Sequence, residues 1–249
     1  MLLMKTIKCV LDRKELCAGL LVLLFSAFSP IAHAGASDAS PYNVCDQAFH
    51  EANWRDDWAF KKYTKQGGDV AAWKAVRHNK AKLLKRLISE SPELVNKPLL
   101  LVLAASDRDP TPLAIFLANG ADPNATGEPA SLLAAAVECR RTENVTLLLA
   151  AGANVYWKDP LDSQNAMVSA ILGGASLPRD NPSPYIQGIN LLLAAGYDPR
   201  CPVIREITPL QFAEQQLKYY GSSYKIAVEI LKHALMVTKA RASGPPKCG

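Results

Sequence analysis

Patterns that carry chemistry are what this sequence lacks. Four histidines occur in 249 residues, and there is no Gly-x-Ser-x-Gly nucleophile turn, no Gly-x-Gly-x-x-Gly and no phosphate-cradling Gly-Lys-Ser/Thr. His50-Glu51 begins as the zinc-protease His-Glu-x-x-His motif does, but Trp54 stands at the second ligand position, so two ligands cannot share a helix face. Neither Cys-x-x-Cys nor a Cys/His cluster at zinc spacing is present. Scattered His and Asp residues make no acid, base and nucleophile set, so the chain reads as a non-enzyme with no cofactor and no metal. Excess charge is lacking too. A formal charge of +5 is too small to argue for a nucleic-acid partner.

What is present is an ordinary globular composition, 49% hydrophobic and 20% charged, which excludes disorder as the main state. The start differs from the rest. Lys5, Lys8, Arg13 and Lys14 precede an apolar run, Ala18 to Phe28, followed by Ser29-Pro30 and Ala32-His33-Ala34. That is the order of a secretory signal, with cleavage expected after Ala34. A run of about 11 apolar residues is too short to span roughly 30 Å of hydrocarbon as a helix, so no stable membrane anchor is expected after cleavage. Cys17 does not read as a lipoprotein cysteine, because Glu15 precedes it closely and the apolar run follows it. Cleavage lowers the formal charge from +5 to about +3, since Asp12 and Glu15 leave with the four cations.

Beyond residue 34 the chain repeats itself. Leu147 to Asn154, LLLAAGAN, returns as Leu191 to Asp198, LLLAAGYD, and a third copy, Ile115 to Asp122, reads IFLANGAD. Each is an apolar helical turn closed by a glycine, the residue that takes a left-handed helix end without a Cβ clash. Helix openings repeat less faithfully. Thr208-Pro209-Leu210-Gln211-Phe212-Ala213 offers a hydroxyl cap and a proline at the first helical position, whereas Pro98-Leu99 lacks the threonine and Ala130-Ser131-Leu132 and Ala166-Met167-Val168 lack the proline. Together these residues resemble the ankyrin repeat. The family's usual histidine is replaced by Leu133, Val168 or Gln211, and its hydrogen bonds to neighbouring loops go with it. The resemblance implies an all-α, ankyrin-like helical repeat solenoid of about five repeats with an N-terminal capping helix.

The boundaries follow: a signal peptide at 1–34, a linker and capping helix at 35–67, a repeat domain at 68–237 and a C-terminal tail at 238–249. Val70 to Asn96 reads as a first, divergent repeat, with Pro92 to Asn96 replacing the glycine turn. Its Lys74, Arg77, Lys80, Lys82, Lys85 and Arg86 make either a solvated basic face or a surface for an acidic partner. Gly120, Gly152 and Gly196 lie 32 and 44 residues apart against a family period of about 33, so about eleven residues are inserted. The insertion is placed near Gly173 to Gly188, where three prolines interrupt any helical period. The last helix is expected over Ser223 to Val237, packing through Ile226, Val228, Ile230, Leu231 and Leu235.

Repeats of this kind supply a groove, and the resemblance implies protein binding by the fingers between repeats. Tyr156, Trp157, Lys158 and Asp159 form the best finger, with Arg200, Arg205 and Glu206 on the next and Lys82 and Lys85 on the basic helix pair. The alternative is that Tyr156 and Trp157 pack against a neighbouring finger. Four cysteines remain after cleavage, Cys45, Cys139, Cys201 and Cys248, with three complete connectivities. In a repeat Cys139 and Cys201 lie at opposite ends, too far apart to bond. The tail can bring Cys248 to Cys201 or to another cysteine near the last repeat, stabilising by about 4 kcal/mol in the chain-entropy model. Cys45 and Cys139 then remain to pair or stay free. Asn124-Ala125-Thr126 and Asn144-Val145-Thr146 match glycosylation sequons. The reading is a monomeric, periplasmic protein-binding protein. By architecture and compartment it resembles inhibitor or immunity proteins, so the partner is expected to be a secreted toxin or an envelope enzyme. An envelope scaffold, a stress-related repeat protein and an enzyme using the insertion are the alternatives.

Overall fold

The computed structural model describes residues 70–127, 130–158, 165–173, 183–204, 206–241 and 244–248. The expected signal, linker and capping helix, together with Asp159, Arg205 and residues 174–182 of the insertion, lie outside the described residues.

The described residues form ten α-helices that follow one another as five pairs. They are α1 (Val70–Arg77) with α2 (Ala81–Glu90), α3 (Pro98–Ser106) with α4 (Thr111–Ala118), and α5 (Leu132–Glu138) with α6 (Thr142–Ala150). The last two pairs are α7 (Ala166–Leu172) with α8 (Ser183–Ala194), and α9 (Pro209–Tyr220) with α10 (Lys225–Arg241). Among the described residues the only ladder is a two-residue antiparallel ribbon, β1 (Thr126–Gly127) with β2 (Ala130–Ser131), just before α5. The all-α class expected from the sequence therefore holds.

Composition explains how the helices stack. α5 and α7 bury Leu132 to Val137 and Ala166 to Ile171 without interruption, as a helix must when it has neighbours on every side. Each contacts its own pair partner and the first helices before and after it. Second helices likewise pack on second helices, α2 on α4, α4 on α6, α6 on α8 and α8 on α10. At the ends one face is left to water. In α2 only Leu84 and Ile88 are buried, while Lys82, Lys85 and Arg86 are exposed.

Termini follow local chemistry. Gly120, Gly152 and Gly196 have φ of +87°, +90° and +95°. In each copy the glycine N–H reaches back three residues and the next N–H reaches back five, as Ala153 does to Leu148 O at 2.9 Å, which is a Schellman closure. At the other ends Ser131 and Asn165 accept the N–H groups of Ala134 and Val168. Thr208 and Gln211 form a reciprocal capping box. The motif alone is ambiguous, however. Thr111-Pro112-Leu113 opens α4, the second helix of its pair.

Two boundaries are corrected. α8 starts at Ser183, so residues 183–188 are helix and not loop. Pro184 sits in its first turn, where a missing N–H costs nothing. The final helix runs on to Arg241, preceded by a 3-10 turn at Ser222–Tyr224. Ile226 is 43% exposed and does not pack inside, while Ala227, Val228 and Leu231 do.

Candidate protein-binding surface

The turns between pairs are built on one local scheme. Asp122, Asn154 and Asp198, each two residues after its glycine, accept through Oδ1 the N–H of Asn124, Tyr156 and Arg200 at 2.8–2.9 Å. These are Asx turns. They fix the direction in which the residue four places after each glycine leaves the turn.

That residue reaches the next turn. Asn124 donates from Nδ2 to Gly152 O at 3.3 Å and accepts the Asn154 N–H at 2.6 Å. Tyr156 makes the same two bonds one pair later, its hydroxyl donating to Gly196 O at 3.1 Å and accepting the Asp198 N–H at 2.9 Å. Its ring also stacks on Tyr197, with centroids 5.0 Å apart. Earlier in the chain, Asn96 Oδ1 accepts the Asp122 N–H at 3.0 Å. The ladder of turns is thus carried by Asn96, Asn124 and Tyr156. The sequence reading missed this role for Asn96 and Asn124, although their placement relative to the three glycine turns was its signal.

Arg200 occupies the same position in the last of these glycine turns, after which the fifth pair, α9 with α10, and the tail follow. Its guanidinium clasps Asp198, with Nη2 to Oδ2 at 2.7 Å, and Nη1 donates to Gly244 O of the tail at 2.7 Å. Hydrogen bonding from Arg200 holds the Asp198 carboxyl below its ordinary range, against a smaller opposing effect of burial. Beside it, Cys201 and Cys248 form a disulfide with Cα atoms 5.4 Å apart. Cys201 is buried and Cys248 exposed. Cys139 is also disulfide-bonded; the expectation for Cys45 lies outside the described residues.

The expected site residues therefore divide. Tyr156 and Arg200 have their polar atoms engaged within the chain. Trp157, next along the same finger, is half-buried, and Lys158 is exposed. Lys82 and Lys85 are exposed on α2, at the other end of the row of second helices. In the same pair Arg77 lies over the Trp73 ring at 5.3 Å, and burial pulls it down to about 10, with Asp107 opposing. Asp159 and Arg205 lie outside the described residues.

Asn144 is reassigned. It is 1% exposed, and its Nδ2 donates to Ala104 O, Ala105 O and Asp107 O at 3.2, 2.9 and 2.9 Å. The amide closes the carbonyl end of α3 and is not open to glycosylation in the folded chain. Tyr197, 3% exposed, lies beside the fully buried Asn165 side chain, and burial pushes its hydroxyl well above its ordinary range. Among the described residues no group of three or more His, Cys, Asp or Glu gathers as a metal would require. No family model matches the chain, and a search of curated proteins finds no match.

Proposed function

We propose that the five helix pairs are divergent ankyrin-type repeats and that the protein is a non-enzymatic, exported binding protein. Its partner would be a secreted toxin or an envelope enzyme whose cleft it blocks. The observation that carries this reading is the finger at Val155 to Lys158. Tyr156 is tied to the following turn by two hydrogen bonds and a ring stack, so the neighbouring, half-buried Trp157 sits beside a pre-organised support. A large aromatic on such a support loses little entropy on binding and is a common hot spot. The tail clasp at Arg200 and Cys201 closes the final turn in the same way.

The reading is tested by exporting the mature protein together with each envelope-targeted toxin of its source, scoring survival and recovering the complex by pull-down. Rescue by the wild type should weaken with Trp157→Ala, which is expected to cost the complex about 2 kcal/mol or more while leaving the thermal midpoint unchanged. Changing Lys82 and Lys85 should alter mainly the association rate and its salt dependence. No rescue and no recovered partner would favour a scaffold.

A further inference from the structure

The C-terminal tail takes a place in the ladder of turns that the binding reading does not use. Each earlier turn offers a glycine carbonyl to the residue that grips it, Asn124 Nδ2 donating to Gly152 O at 3.3 Å and Tyr156 OH to Gly196 O at 3.1 Å. Arg200 Nη1 donates in the same way to Gly244 O at 2.7 Å. Gly244 comes shortly after the end of α10, as Gly152 and Gly196 come shortly after α6 and α8. The tail therefore stands where the next glycine turn would.

This last rung is fastened differently. Gly152 and Gly196 are left-handed, with φ of +90° and +95°, and Gly244 is not. In the earlier rungs the gripping side chain also accepts an N–H, from Asn154 or Asp198. A guanidinium has no acceptor, so that second bond has no counterpart at Arg200. The Cys201–Cys248 disulfide stands in for it, with Cα atoms 5.4 Å apart. Residues 244–248 are exposed, and Pro245 and Pro246 bring no N–H. Among the described residues they make no other hydrogen bond or ion pair with the rest of the chain.

The two ends of the disulfide differ in access. Cys201 is 1% exposed and its N–H is bonded to Asp198 O at 2.9 Å, whereas Cys248 is exposed. Thiol–disulfide exchange depends on which sulfur a thiolate can reach, and here that is Cys248 Sγ.

We propose that the tail is a thiol-opened latch: a small thiol of the glutathione class cleaves Cys201–Cys248 in the folded protein and frees Gly244 from Arg200, while the turn at Asp198 keeps its form. The thiolate attacks Cys248 Sγ and forms a new S–S bond there. The Cys201–Cys248 bond breaks, and its electron pair leaves on Cys201 Sγ, which takes a proton from water. A second thiolate then attacks the sulfur of the bound small thiol, leaving reduced Cys248 and the oxidised disulfide of the two small thiols. The turn persists because Asp198 holds the Arg200 N–H and guanidinium locally. Rung and disulfide support each other, since Arg200 keeps the tail near Cys201 and raises the effective concentration at which the two sulfurs meet.

The exported, oxidised protein is treated with reduced glutathione under native conditions, quenched with acid and N-ethylmaleimide, and peptide-mapped. Mapping reads this pair apart from the disulfide of Cys139. Glutathione is expected on Cys248 and a free thiol at Cys201, at a rate proportional to glutathione and faster than global unfolding. Backbone order parameters of Gly244, Lys247 and Cys248 should fall below about 0.6 on reduction, while the amides of Arg200 and Cys201 stay protected from exchange. Arg200→Lys keeps a cation beside Asp198 and loses the fork that spans both partners. Its equilibrium constant for forming the disulfide against glutathione should be smaller by about threefold or more. Reduction no faster than unfolding, glutathione on Cys201, a tail that stays ordered once reduced, or an Arg200→Lys equilibrium equal to that of the wild type each overturns the proposal.

Discussion

The turns at Gly152–Asn154 and Gly196–Asp198 present the same two backbone groups to the preceding turn, and different side chains hold them. Asn124 grips the first with an amide, and Tyr156 grips the second with a phenol. The residue just after the glycine differs in step. Ala153 is buried in the first turn, and Tyr197 fills that place in the second and stacks on Tyr156. What is kept is one donor and one acceptor at a fixed distance from the glycine. The side chain that supplies them is open to choice, and an aromatic choice adds apolar contact to the hydrogen bonds.

The comparison can be broken first at the helices beneath. Leu148 and Leu192 are fully buried at equivalent places under the two turns, so Leu148→Ala and Leu192→Ala should each cost about 2–5 kcal/mol in denaturant unfolding. Losses below about 0.5 kcal/mol at both would contradict equivalent core roles. The disulfide comes next. Cys248→Ser opens a loop of sequence separation 47 and should lower stability by up to about 4 kcal/mol in the chain-entropy model, measured under non-reducing conditions and absent with reductant.

The turn side chains themselves are worth less. Tyr156→Phe keeps the ring stack and removes the two hydrogen bonds, and should cost about 1 kcal/mol, as should Asn124→Ala. A larger loss from Tyr156→Ala than from Tyr156→Phe would measure what the aromatic pair adds, and equal losses would deny it any share. The smallest effect is that of pH. Asp198 titrates below its ordinary value of 3.8 in the folded chain, so the folded state binds its proton less readily than the unfolded chain does. Its stabilisation is fully present above that ordinary value and is lost as pH falls through the depressed folded value. Asp198→Asn should flatten that part of the acid stability curve.

Much of this was legible. The three glycine copies give the helix ends because a left-handed residue at C′ is a local demand, met within a few residues. Thr208 and Gln211 give a helix start for the same reason. The helix at Ser183 was hidden by the prolines around it, which break helical periodicity although one of them sits harmlessly in the first turn.

The candidate surface was only half legible. Tyr156 and Trp157 are adjacent and aromatic, and nothing local says which of them faces the next turn. Asp198 orients Arg200 locally, but its bond to Gly244 depends on a tail that arrives some forty residues later. Asn144 sits in a sequon that reads as surface, and only the carbonyl end of α3 explains why it is buried.

The sequence by itself determined the helix-ending turns, their number and spacing, and the apolar runs that make neighbouring helices bury one another, because backbone conformation and hydrophobic period are set by residues close in the chain. Tertiary structure alone decided which polar side chains hold the turns together and which stay exposed. Each such bond joins residues about 26 to 44 positions apart, and its donor and acceptor come within 3 Å or so only after the pairs have stacked.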